Sequence, residues 1–357
     1  MDTLPDIQVI PSDGQQQLEW GRNRPITFED LGIPRVNAMR TTVFGNHWIV
    51  AAETVLFIRT CQSLILLEWI LLVGGLTSAI ITIALALYRL WFSKPGEADY
   101  VFAILLVFHS AFCILYILDG VFREQAFEVL AFVASCGFLI VYIVVNFANA
   151  PSSSSDIFKL VRLVLTIVFG TSMGSVGLVL GFRYWQSANL IFRTVGADTS
   201  IQALCKTLFT TITLILFDAQ IVGSVIILAL RHSITKLSLQ EILTLTIGPP
   251  LLLAWAVIAY LGLRLESRYF FSLTMTLSPC HIAYVLLAII QTALNHEEHK
   301  EIRIAYCRYA ASAGSLVVHT VLIIFLVRCY RNFGMGLKEK VYPQQVSNNM
   351  SQSRLVQ

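Results

Sequence analysis

Apolar residues run on for about 20 positions at a time along most of this chain, the length at which a helix crosses the hydrocarbon core of a bilayer. Eight such runs stand out, at 64–87, 100–118, 126–149, 158–182, 207–230, 242–263, 270–292 and 304–327. A membrane barrel would instead need segments of about ten residues alternating apolar and polar, and these continuous runs are not that. The pattern predicts an all-α, polytopic transmembrane helical bundle of eight spans. The sixth run is the weakest, because Pro249 and Pro250 interrupt it. Seven spans is the alternative, should one run re-enter or lie flat.

The flanks read differently. Residues 1–42 are polar and broken by Pro5, Pro11, Pro25 and Pro34, as a disordered N-terminal tail would be. Residues 43–63 are intermediate and amphipathic, an interfacial lead-in to the bundle at 64–330. Residues 331–357 form a polar C-terminal tail. No basic start and early apolar core mark a cleaved signal peptide, so the first long run is expected to act as the insertion signal. Basic residues near the span ends are slightly more numerous on the side of the two tails, which points both tails to the cytoplasm. Between the fourth and fifth runs lies the one long connection, 183–206. Its RTVGADTSIQALCKT stretch is expected to make a short surface helix capped by Asp198 or Thr199.

Composition agrees with a bilayer. Of the 357 residues, 56% are apolar and only 13% charged, too few charges to cover a water-soluble body of this length. The net charge of +3 is too small to imply nucleic acid as a partner. Seven cysteines include no CxxC, and no loop holds two, so no disulfide framework is expected. The partner established by these numbers is the lipid bilayer.

Ionisable groups at mid-membrane depth are costly, which makes them functional candidates. His109 sits in the middle of the second run, Asp218 in the middle of the fifth with Gln220 two residues on, His281 in the middle of the seventh, and His319 just past the middle of the eighth. One acid, an amide and three imidazoles at one depth fit a polar transport or ligand site. The bland reading is that each makes a single hydrogen bond across the bundle. The sequence itself assigns no metal, no cofactor and no catalytic residue. Glu68, Glu128, Arg162 and Arg308 lie near run ends and read as headgroup anchors.

Two backbone signals complete the reading. Gly170, Gly174, Gly177 and Gly181 are spaced four, three and four apart, one smooth face on the fourth span where a second helix can approach closely. That helix belongs either to the same bundle, the favoured reading, or to a homo-oligomer or another membrane protein. Pro249 and Pro250 remove two amide donors and should kink the sixth span. The third run ends VVNFANAPSSSSD without the acid–Arg–aromatic triplet of rhodopsin-like receptors, and no Asn-Pro-x-x-Tyr occurs. No HxxxH of the zinc-dependent seven-helix hydrolases, P-loop or nucleophile elbow is present. The leading reading is a transporter or channel-like protein built on the mid-membrane Asp/His site. A ligand- or lipid-sensing receptor and a membrane scaffold are the alternatives.

Overall fold

The computed structural model describes residues 64–93, 98–148, 157–229, 239–294, 302–337 and 341. The N-terminal tail, the whole lead-in and most of the C-terminal tail lie outside them. Within the described residues the chain forms α1 (Leu66–Phe92), α2 (Ala98–Arg123), α3 (Ala126–Ala148), α4 (Ile157–Ser187), the short α5 (Asn189–Val195), α6 (Thr199–Ile227), α7 (Leu239–Leu265), α8 (Arg268–Leu294) and α9 (Ile302–Arg331). Eight of these, all but α5, are long and apolar enough to span a membrane. A π-turn interrupts α1 at Ile70–Gly74.

The distribution of side chains suits lipid outside. Leu253, Val257, Ile290, Val317 and Ile324 are exposed, while His109, Ser135, Asp218, Gln220, Ser224, His281 and His319 are buried. Apart from the carbonyls opposite the in-helix prolines, backbone groups bond within each helix, which is what the hydrocarbon demands. Polar side chains then have only one another, so they gather inside.

Two four-helix halves follow one another. In the first, α1 packs on α2 and α4, and α3 fills the other corner; in the second, α6 packs on α7 and α9, with α8 opposite. The halves meet where α2 and α3 lie against α6, and α3 against α9. Helix α6 is accordingly the most enclosed span, 67% buried in its apolar window, against 17% for α4.

The same turn closes the middle of each half. Glu124 and Glu266 adopt left-handed backbone, φ +55° and +49°. Gln125 N–H donates to Gly120 O at 2.9 Å, and Ser267 N–H to Gly262 O at 3.2 Å, the six-to-one bond of a helix C-cap. A Cβ on Gly120 would stand 3.2 Å from the amide of Val129, and one on Gly262 3.4 Å from that of Phe271, nine residues on in both cases. Arg162 on α4 and Arg308 on α9 are both buried, each 22 residues ahead of a tyrosine, Tyr184 and Tyr330.

Three details differ from the sequence reading. Asp198 caps a helix, but that helix is the spanning α6 itself; its carboxylate accepts from the amides of Ser200 and Ile201 at 3.0 and 3.3 Å. The short helix is α5, which ends three residues before that cap. None of the four expected headgroup anchors is exposed: Arg162 and Arg308 are 6% and 8% exposed, and Glu68 and Glu128 only 1%, because hydroxyls inside the bundle reach the two carboxylates. Tyr184 O–H donates to Glu68 at 2.7 Å, and Thr213 O–H to Glu128 at 2.8 Å.

On α4, Gly170, Gly177 and Gly181 face α3, where added Cβ atoms would meet Ile140 at 3.1 Å, Val133 at 3.0 Å and Leu130 at 3.3 Å. Gly174 has open space at its Cβ position. Pro249 and Pro250 lie inside α7, whose helix continues past them.

Candidate functional site

The five mid-span candidates divide into two clusters on different sides of α6. Asp218 and Gln220 are two residues apart, which turns them about 200° from each other around the helix. Gln220 faces the first half and Asp218 the second.

The Gln220 cluster is closed. Ser135 O–H on α3 donates to Gln220 Oε1 at 2.9 Å. Gln220 Nε2 lies 2.7 Å from His109 Nδ1, and His109 Nε2 lies 2.7 Å from Ser224 Oγ. Ser224 O–H in turn donates to the Gln220 carbonyl at 2.9 Å. With a neutral imidazole protonated on Nε2, every one of these contacts has one donor and one acceptor. The network ties α2, α3 and α6 together where the halves meet, and it leaves no imidazole nitrogen over.

The Asp218 cluster is open. All four spanning helices of the second half reach it: Asp218 from α6, Trp255 from α7, Ser278 and His281 from α8, His319 from α9. His319 Nδ1 is 2.9 Å from Asp218 Oδ2, and His319 Nε2 is 2.8 Å from Ser278 Oγ. The His281 ring stacks on the His319 ring, centroids 3.9 Å apart and 17° from parallel. Trp255 covers both rings at 5.6 and 5.0 Å, held by its N–H donating to the Thr274 carbonyl at 3.2 Å.

His281 Nε2 points toward the same carboxylate oxygen from 3.6 Å, too far for a hydrogen bond. Neither nitrogen of His281 has a hydrogen-bond partner, nor does Asp218 Oδ1, although the residues are only 4% and 1% exposed. A buried polar group left unsatisfied costs about 1–3 kcal/mol. The second half carries that cost at the depth where it can least be offset by water. One atom from each of Asp218, His281 and His319 falls within 4.8 Å of the others, a geometry able to hold a cation.

Ser278 and Trp255 carry no charge that marks them in the sequence. Ser278 was detectable, since it stands three residues before His281 and so on the same face of α8. Nothing in the sequence distinguishes Trp255 from a core aromatic. Ser135 and Ser224 likewise gave no signal.

A small cavity of about 20 Å³, enough for one water, opens at the end of the second half, lined by Thr207, Glu266, Cys329 and Asn332 among others. Thr211 O–H lies 3.2 Å from Cys329 Sγ just below it. Between that level and Asp218 the core is apolar, with Ile215, Leu322 and Leu326 all 3% exposed or less.

Comparison with known proteins gives one finding. A family model described as "Domain of unknown function (DUF7789)" matches residues 55–182 and 195–328, stretches that fall on the first and the second four-helix half. No curated protein and no solved structure matches the chain significantly.

Proposed function

The chain belongs to that DUF7789 family, and from the geometry of its second half we propose that it is a membrane transporter of cations, with Asp218, His281 and His319 as the mid-span binding site. The observation that carries this reading is the unsatisfied polarity of the cluster. In the Gln220 network both imidazole nitrogens and the amide oxygen are bonded. Asp218 Oδ1 and both nitrogens of His281 are not used, and a positive ion is the ligand that a carboxylate and two imidazoles jointly favour.

The placement supports the same reading. The site lies midway along α6, α8 and α9, with the small, largely apolar cavity at one end and a packed apolar layer of Ile215, Leu322 and Leu326 between them. In the transport reading that packed layer is the closed gate. Pro249 and Pro250 in α7 and Pro279 in α8 leave carbonyls without their usual amide partners, which gives those two helices places to bend.

The hydrogen-bond order Ser278–His319–Asp218 also invites an acyl-transfer reading, since serine, histidine and acid in that order make a nucleophile relay. The residue after a nucleophilic serine commonly lends its amide to the oxyanion. Here that residue is Pro279, which has no amide, and Ser278 stands inside a continuous helix whose other amides point along its own ladder. Binding fits these surroundings better than catalysis.

Purified protein in liposomes, given inward gradients of H⁺, Na⁺, K⁺, Ca²⁺, Mn²⁺ and Zn²⁺ in turn, tests the proposal. At least one ion should move faster than in empty liposomes, and Asp218→Asn should slow it at least tenfold in protein that elutes and melts normally. A wild-type protein that moves none of them, or an Asp218→Asn protein that moves them equally well, overturns it.

A further inference from the structure

We infer that the Asp218–His281–His319 cluster selects divalent first-row transition-metal ions of the zinc type; this rests on the transport reading above and names its cargo.

The donor set makes the selection. Two imidazole nitrogens and one carboxylate are ligands for zinc and its neighbours, whereas Ca²⁺ and Mg²⁺ want six or more oxygens. The spacing is near what is needed. Tetrahedral ligands at about 2.0–2.1 Å from a zinc ion lie about 3.3 Å from one another, and the carboxylate oxygen Oδ2 is 2.9 Å from His319 Nδ1 and 3.6 Å from His281 Nε2. All three ligand atoms lie within 4.8 Å of each other. The carboxylate distances need change little, but the two rings must rotate out of their near-parallel stack for their in-plane lone pairs to meet on one ion. His281, 4% exposed with both nitrogens unbonded, is the side chain that such an ion would satisfy.

Ser278 supplies the outer support that metal-bound imidazoles need. With the His319 proton on Nδ1, that nitrogen donates to Asp218 Oδ2 and Ser278 O–H donates to Nε2. To bind through Nδ1, neutral His319 shifts its one proton to Nε2, and the Ser278 hydroxyl rotates to accept it there. No proton is gained or lost. The bond at 2.8 Å between His319 Nε2 and Ser278 Oγ is kept with its direction reversed.

Three protein ligands are one fewer than a structural zinc site uses. One carboxylate and two neutral imidazoles around a divalent ion leave a net charge of +1 in a low-dielectric core. Both features suit an ion that enters and leaves rather than one that holds the fold together.

Full-length protein in detergent, stripped with chelator and titrated with Co²⁺ and Zn²⁺, provides the test. One Co²⁺ per chain should bind and give the visible d–d absorption of a low-coordinate nitrogen–oxygen site, and Zn²⁺ should displace it. Asp218→Asn, His319→Gln and His281→Gln should lose the signal. Ser278→Ala should weaken binding about tenfold, and His109→Gln should not change it. Because His281 makes no hydrogen bond to lose, His281→Gln should fold even if the other two variants do not, and its result decides. No binding by the wild type, or binding that survives His281→Gln, overturns the inference. If metal binding fails while another cation still moves in liposomes, the transport reading stands without this cargo. If metal binds and nothing moves, the site stands and the transport reading falls.

Discussion

Each half of the molecule ties its first helix to its fourth with a carboxylate on one and a ring on the other. In the first half Glu68 on α1 accepts from Tyr184 on α4 at 2.7 Å; in the second Asp218 on α6 meets His319 on α9 at 2.9 Å. The two ties differ in depth and in chemistry. Glu68 lies in the first turn of α1 and also accepts the Ile65 amide at 2.8 Å, so both its oxygens are bonded. Asp218 lies mid-span, its second oxygen is unbonded, and a second imidazole waits 3.6 Å away. A phenol can only fasten a carboxylate, while an imidazole can also share it with a cation. The comparison separates what the architecture requires, a first-to-fourth-helix tie, from what one half has added to it.

The packing of the halves differs in the same sense. The seam between α3 and α4 is close because Gly170, Gly177 and Gly181 let the helices approach. The second half packs α8 against α9 around the polar cluster instead. The largest effect is therefore expected from Gly177→Leu. Its Cβ would already stand 3.0 Å from Val133, and overpacking a close seam costs about 1–3 kcal/mol and sometimes more. The protein should melt far lower or fail to express. Gly174→Ala, on the same helix but with open space at its Cβ, should be tolerated. Equal behaviour of the two, measured by thermal unfolding in detergent, would break the claim that packing holds the first half.

Paired substitutions at the two carboxylates come next. Asp218→Asn should reduce cation transport at least tenfold while lowering stability by only about 1 kcal/mol, since an amide still reaches His319. Glu68→Gln should leave transport unchanged and cost about 1–2 kcal/mol, the difference between a charged and a neutral hydrogen bond. If Glu68→Gln also stopped transport, the halves would share the function. Tyr184→Phe isolates the tie of the first half: loss of one buried hydroxyl bond should cost about 1 kcal/mol in melting and nothing in metal binding.

The span count, the all-helical class and the burial of Asp218 followed from run length and from the cost of charge in hydrocarbon, because both act one helix at a time. Which side of a helix meets which neighbour is a property of the packed bundle. Thus His109 and His281, equally central in their runs, ended in different clusters, and Gln220 joined His109 rather than Asp218. Glu68 and Glu128 looked like headgroup anchors because run position says nothing of a tyrosine or threonine opposite. The repetition of the halves was hidden for a related reason. Their shared marks are a glycine, a left-handed glutamate and a buried arginine, scattered among apolar residues that interchange freely in lipid.

The left-handed glutamates give the smallest and most discriminating prediction. An L-residue in that region costs about 1 kcal/mol, which glycine relieves. Replacing Glu124 with Gly removes an ion pair with Arg193 at 3.4 Å, and replacing Glu266 with Gly removes the acceptor for the Gly334 amide at 3.0 Å. Arg193 is half-exposed although Glu124 is buried, and the Glu266 bond is exposed, so a contact of either kind contributes about 0.5–1 kcal/mol. Gain and loss nearly cancel at each turn, so each variant should melt within about 1 kcal/mol of the wild type, and with the same sign at both. That equality is what a shared turn demands: the backbone, not the side chain, is the common part, since both turns place an amide on the carbonyl of the glycine five residues back. Opposite signs would mean that the two glutamates are retained for different side-chain contacts, and the likeness of the turns would then be no guide to the likeness of the halves.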